Sequence, residues 1–157
     1  MTFKTIKPGI IESIVAGSNL LKHRFVGFDG NYCVADAKAL GISDVDSNSG
    51  EMCPVVLSGI MLVESAGVIA VGDPLASSGT GADAGRAVKA TVLAVTSAIT
   101  SSVEAGATPV TSTAANGEVV TSTSVNTVAG GVLPQAINGY ALDTASGAGE
   151  FIRVKLV

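Results

Sequence analysis

Short runs of apolar residues, separated by Gly, Ser, Asp and Asn, follow one another along most of this chain. Runs bounded in this way by turn-forming residues are typical of β-strands. The clearest run lies near the C-terminus, where Ile152, Val154 and Leu156 alternate with Arg153 and Lys155. A period of two puts the aliphatic side chains on one face of a strand and the cations on the other. The pattern therefore predicts an all-β fold.

Other apolar runs predict further strands. Gly72-Asp73-Pro74 predicts a turn before a short strand that begins at Leu75, and the stretch 77–85, which is rich in Gly and Ser, predicts an exposed loop. The run 87–95 predicts a strand, although its alanines leave a helix open. The remaining predicted strands cover residues 10–16, 42–45, 53–63 and 68–71.

The Asp29-Gly30 dipeptide predicts a β-hairpin between two apolar runs. Asp-Gly tolerates the positive φ angles of a two-residue type I′ turn. With such a turn, Val26 lies opposite Cys33, and His23 faces Asp36 as a cross-strand charge pair.

The segment 91–127 differs in composition from the rest of the chain, because it is rich in Ser and Thr and holds only two charged residues. Asn116-Gly117 predicts a second hairpin there, with Ala114 opposite Val119. Two interpretations stay open: ordered strands with a hydroxyl-bearing surface, or a flexible insertion.

Composition narrows the class of protein. The chain has 157 residues, 9 Lys and Arg against 13 Asp and Glu, and a net charge of −4. The length indicates a single domain, 1–157. The acidic balance argues against a nucleic-acid partner. We expect no signal peptide, because the N-terminal residues lack an apolar run, and no membrane span, because Glu64 interrupts the most apolar stretch.

The candidate reactive residues do not form a site with a recognised spacing. His23 is the single histidine, and together with Cys33 and Cys53 it lacks the paired spacing of a zinc site. We interpret the two cysteines as buried free thiols in a reducing compartment. In the acidic loop 44–51, glycine falls at position 7 and not at position 6, so we interpret it as a solvated turn and not a calcium loop. The glycines at 79–84 lack the strand and helix of a dinucleotide site. We therefore predict no catalytic residue, no metal, no cofactor and no enzymatic activity.

Three stretches together resemble the capsid cement, or head decoration, proteins of tailed bacteriophages, including relatives of the lambda head decoration protein. They are VVLSGI at 55–60, IAVGDPL at 69–75 with GRAV at 85–88, and GYALDTA at 139–145 with GEFIRVKL at 149–156. The resemblance implies a small β-barrel or β-sandwich on the outer surface of the virion, made in the bacterial cytoplasm. It also implies a homotrimer or dimer that clamps neighbouring subunits of the major capsid protein. Within this pattern, residues 137–143 form a strand with a bulge at Gly139.

The resemblance also implies a role for two segments of the chain, the basic N-terminal residues and the Ser/Thr-rich stretch. Residues 1–9 are expected to form an extended basic arm, and the Ser/Thr-rich stretch at about 97–126 is expected to be an insertion. The arm is the expected contact with the capsid, through Phe3, Lys4, Ile6, Lys7, Pro8 and Ile10.

Two other classes of protein are alternatives to a capsid protein. The hydroxyl-rich segment suits an adhesin or a carbohydrate-binding β module on a virion or cell, but the scarcity of aromatic residues for sugar stacking counts against it. An enzyme built as a trimeric β-barrel with a shared active site rests on the β architecture alone.

Overall fold

The computed structural model describes residues 4–79, 81–91, 94–100, 123–129 and 136–157. The chain divides into two compact units, one formed by Met1–Val92 with Gly131–Val157 and the other by Leu93–Gly130. No helix in the described ranges is long and apolar enough to cross a membrane. The strands are, in chain order, β1 (Lys7–Pro8), β2 (Ile11–Val15), β3 (Phe25–Val26), β4 (Gly41–Ser43), β5 (Met52–Val56), β6 (Gly59–Ala66), β7 (Pro74–Ser77), β8 (Ala87–Lys89), β9 (Ala94–Thr100), β10 (Thr123–Ala129), β11 (Gly139–Ala141) and β12 (Ala148–Leu156).

Five strands of the first unit close into a barrel. They follow the order β6–β12–β11–β7–β8, and β8 returns to β6 through a parallel pairing of Ser65 with Ala87. All other neighbours in the barrel are antiparallel, and β1 adds to the free part of β6. The predicted all-β fold is confirmed, and its architecture is a small barrel with an additional sheet.

The barrel interior is aliphatic, as the alternating pattern of its strands requires. In β12, Ile152 and Val154 are fully buried while Lys155 is exposed, so the predicted division of this strand into two faces is confirmed. Met61 and Val63 of β6 project into the same core.

The second sheet of this unit has the order β2–β5–β4–β3 and is antiparallel throughout. It covers a smaller cluster formed by Leu20, Val26, Cys53, Val55 and Ala16. Cys33 belongs to the barrel cluster instead. Both cysteines are free and buried, as predicted.

Several strand boundaries differ from the predicted ones. The expected strand 53–63 is two strands, because the chain turns at residues 57–58 and Gly59 adopts a φ of 102°. The run 68–71 is a turn with one isolated bridge, from Ile69 to Ala145. The run 87–95 contains the short β8 and the start of β9. The loop 77–85 is only partly exposed and contains a 3-10 turn at Gly81–Asp83.

The hairpin at Asp29-Gly30 forms, but not in the predicted register. Val26 pairs with Tyr32 and not with Cys33, and only Gly30 of the dipeptide has a positive φ. The Asp29 carboxylate explains the wider loop, because it accepts hydrogen bonds from the backbone N and the side-chain Nδ2 of Asn31, at 3.1 and 2.9 Å. This side-chain turn replaces the type I′ geometry.

The second unit contains a long antiparallel pair within the Ser/Thr-rich segment. β9 and β10 pair over seven positions, from Ala94 opposite Ala129 to Thr100 opposite Thr123. The described part of this segment therefore forms strands. The predicted hairpin at Asn116-Gly117 lies outside the described residues.

Candidate interaction surface

The predicted arm follows the edge of the barrel. Lys7 and Pro8 form β1 and pair with Ile60 and Gly59. Past β1, the backbone N of Gly9 donates to the carbonyl of Ser58 at 2.8 Å. Two other described residues of the arm, Ile6 and Ile10, are 38% and 60% exposed, and Phe3 lies outside the described residues. The arm is therefore extended and held against β6 by backbone hydrogen bonds.

Close backbone contact explains why glycine occupies position 59. An added Cβ there would lie 2.3 Å from the carbonyl oxygen of Lys7, and the φ of 102° is unfavourable for other residues. The turn that separates β5 from β6 is therefore also in close contact with β1.

The arm also reaches β12 through Lys4. Its ammonium group donates to the carbonyl of Phe151 and lies 3.8 Å from the carboxylate of Asp143. Asp143 in turn binds Arg153, with its Oδ1 2.7 Å from the guanidinium NH2. The hydrogen bond from Arg153 lowers the pKa of Asp143, and Lys4 adds to the effect. These contacts fix the two cations on the outside of the barrel.

A row of side chains crosses the outer surface of four adjacent strands. The strand registers place Lys7 beside Ile60, Ile60 beside Lys155, and Lys155 beside Tyr140. Directly opposed residues in a sheet share a face, and neighbouring strands are about 4.8 Å apart, so the row extends over about 14 Å. We call this surface the basic face; it consists of Lys4, Lys7, Ile60, Tyr140, Arg153 and Lys155.

A buried ionic cluster lies behind the 3-10 turn, and the sequence pattern did not reveal it. The Glu64 carboxylate binds two guanidinium groups, that of Arg24 at 3.0 Å and that of Arg86 at 2.6 Å. Arg24 also donates to the carbonyls of Ala82 and Ala84, at 2.9 and 3.1 Å. Only 6% of Arg24 is exposed. The cluster joins β6 to the loop 77–85, so the role of the cluster is structural.

His23 does not face Asp36, so the predicted charge pair is wrong. Both residues have positive φ angles, 64° and 58°, which interrupt the strand geometry that the pairing needs. The His23 ring packs edge-on against Phe151, with ring centroids 5.5 Å apart. Burial lowers the pKa of His23, and the neighbouring Lys22 lowers it further.

The residues considered as metal ligands do not come together. No group of three or more His, Cys, Asp or Glu side chains suited to a metal occurs in the described part of the chain. In the acidic loop, Asp46 accepts a hydrogen bond from the backbone N of Lys22, and Glu51 accepts one from that of Asn48, both at 2.7 Å. Glu51 therefore stabilises the turn itself, and Asp46 ties the loop to the segment at Lys22.

The fold and this surface define an all-β barrel protein with a second sheet and an exposed basic face. No family model matches the chain, and no curated protein matches it. Among solved structures, the head fiber gp8.5 N base of bacteriophage phi29 is similar, with a TM-score of 0.53 and 16% identity. The likeness covers 94% of this chain and 93% of that one. At this identity it shows a shared fold.

Proposed function

We propose that this protein is a structural component of a bacteriophage head, a decoration protein that binds the outer capsid surface. The observation that carries the proposal is the likeness of nearly the whole chain to the base of a phage head fiber. The three stretches that resemble head decoration proteins support it independently. In this role the protein has no catalytic site and acts in the virion, after synthesis in the bacterial cytoplasm.

The finer part of the proposal concerns how the protein acts on the shell. It clamps neighbouring subunits of the major capsid protein, as a homotrimer or a dimer, and stabilises the shell. A shell offers many equivalent sites, so a modest contact repeated by each copy of an oligomer gives strong overall binding. The arm supplies that contact, through Phe3, Lys4, Ile6, Lys7, Pro8 and Ile10.

Co-sedimentation with expanded capsids, assembled from the cognate major capsid protein, tests the role. We expect saturable binding at a fixed number of copies per shell, and that number identifies the symmetry axis that is occupied. Absence of binding to mature shells would contradict the proposal.

The base of a head fiber is a second candidate, which the structural likeness itself favours. Both candidates predict binding to the shell, but only a clamp strengthens it. Decorated and bare shells are therefore heated in parallel and their disruption followed by light scattering. A higher disruption temperature on decoration supports a clamp, whereas an unchanged temperature with full occupancy supports a fiber base.

A further inference from the structure

We infer that the basic face of the barrel docks onto a carboxylate-rich protein surface, with Lys7, Tyr140 and Lys155 as its central contacts. The inference deepens the proposed function and rests on it, because the acidic partner is then the capsid. It differs from the predicted arm in two ways: most of the contact lies on the barrel strands, and the chemistry of the partner is specified.

The geometry of the barrel makes this surface continuous. Lys7 and Lys155 flank Ile60 in one cross-strand row, and Tyr140 stands next to Lys155. In the adjacent row, Leu62 lies opposite Arg153, and Phe151 lies one row further. Because β1, β6, β12 and β11 are hydrogen-bonded in this order, the row does not depend on the conformation of a loop.

The residue types of the basic face, and of the adjoining Leu62 and Phe151, are those of a protein interface. Tyr140 and Phe151 are 42% and 43% exposed, although aromatic side chains are few in this chain. Half-buried Ile60 lies between Lys7 and Lys155, and half-buried Leu62 lies opposite Arg153. Aromatic residues and arginine are enriched in interfaces, and large aromatic side chains often carry much of the binding energy. A surface with apolar and aromatic side chains among its cations suits a protein partner better than a nucleic acid.

The charge of this face opposes that of the molecule. The chain carries a net charge of −4, yet four of its nine cations lie on the basic face. Asp143 and nearby Glu150 leave an excess of two positive charges there. Neither Lys7 nor Lys155 forms an ion pair with any residue that the structure describes.

Of the five cations outside the basic face, four stabilise the fold, and the fifth, Lys22, is exposed. Arg24 and Arg86 bind Glu64, and Lys89 binds Asp73 at 2.8 Å. Lys38 donates to two backbone carbonyls. Unengaged positive charge on one face complements a negative partner surface, and such complementarity speeds association and selects the partner.

Charge reversal at the basic face provides the test. Lys7→Glu, Lys155→Glu and the double variant are compared with the wild-type chain by co-sedimentation with capsid shells. We expect the double variant to bind at least about tenfold more weakly, because like charges then face each other across the contact. Wild-type binding should also weaken when salt rises from about 0.1 to about 0.5 M, as screening shortens the range of the interaction.

Lys22→Glu is the matched control, because it makes the same charge change at an exposed lysine outside the basic face. It should bind shells as the wild type does. Thermal unfolding followed by circular dichroism verifies that each variant is folded. If wild-type protein binds and the face variants bind equally well, the inference is wrong while the proposed function stands.

A second probe separates the inference from the function. A glutamate-rich peptide is titrated into labelled protein, and amide shifts are mapped by NMR. One outcome is that the protein does not bind shells, but the peptide changes the amide shifts of β6, β11 and β12 in the wild type and not in the double variant. The basic face is then a docking surface for a different acidic partner. Absence of shifts on these strands overturns it. So does tighter binding of an oligonucleotide than of the peptide, or conversion of a wild-type oligomer to a monomer by the double variant.

Discussion

At the scale of single residues, the side chain on which most depends is Glu64. It binds both Arg24 and Arg86, the second of which also pairs with Asp83, and its side chain is only 14% exposed. In the sequence this residue is a break in an apolar run, and nothing nearby indicates its partners. Arg24 lies 40 positions away and meets Glu64 only because the fold brings β6 beside the segment that precedes β3. A contact of this kind cannot be read from local pattern.

The first prediction concerns this cluster. Glu64→Gln should lower the free energy of unfolding by about 3 kcal/mol, because it leaves a buried guanidinium without its counter-charge. Urea denaturation measures the change. Glu12→Gln on the exposed side of β2 is the control and should cost less than about 0.5 kcal/mol. Equal stability of the two variants would show that the cluster is unimportant for folding.

The second prediction concerns His23 and pH. Burial lowers the pKa of His23 below its ordinary value of 6.5, so the unfolded chain takes up a proton at a higher pH than the folded chain. The free energy of unfolding should therefore fall as the pH drops below about 6.5. Asp143 stabilises the fold as long as it is ionised. Because its pKa is lowered from 3.8, this contribution to the free energy of unfolding is lost only in a more acidic range.

Denaturation at several pH values between about 5 and 8 tests this dependence. His23 is the single histidine, so its replacement should flatten the profile across this range. His23→Asn is the variant of choice, because asparagine tolerates the positive φ at this position. An unchanged slope in the variant would contradict the assignment, whatever its absolute stability.

At the scale of elements, β1 and the turn before β6 form one unit of structure. Gly59→Ala should detach β1, because the new Cβ would collide with the carbonyl of Lys7. Hydrogen exchange at the amides of Gly9 and Ile10, which are bonded to Ser58, should then accelerate. Gly50→Ala is a matched control: it also has a positive φ, of 87°, but nothing lies within 4 Å of its added Cβ. Protection of Gly9 and Ile10 should survive in that control.

The elements also show where sequence patterns succeed. β12 was predictable because its period of two has no interruption, and β2 because its run is bounded on both sides. β8 was predicted only as part of a longer strand, 87–95, because its three-residue length is determined by pairing with the distant β6 and β7. The hairpin register failed because the Asp29 carboxylate, and not the dipeptide φ preference, determines the loop. Within the basic face, Lys4 and Lys7 belong to a cation-rich stretch that is visible in the sequence, but Tyr140 and Lys155 could be placed beside Lys7 only through the strand registers.

At the scale of the whole molecule, the first unit holds all three hydrophobic clusters found among the described residues. Replacing residues 93–130 by a flexible Gly/Ser linker should therefore leave the barrel folded. The entropy cost of closing a loop depends only weakly on the length of the linker. NMR spectra of the shortened and full-length proteins test this. Loss of the barrel resonances would instead indicate a single cooperative domain, as the length of the chain predicts.

The closure of the barrel has a consequence for its synthesis. β12 follows β6 far along the chain and lies between β6 and β11, so the barrel cannot close until Leu156 has emerged from the ribosome. Until then β6 exposes an unsatisfied edge, and pairings between such distant segments form slowly. Nascent chains from which β12 has not yet emerged are therefore the most prone to aggregation and the most in need of chaperones. The appearance of β12 thus sets the time at which the barrel can fold.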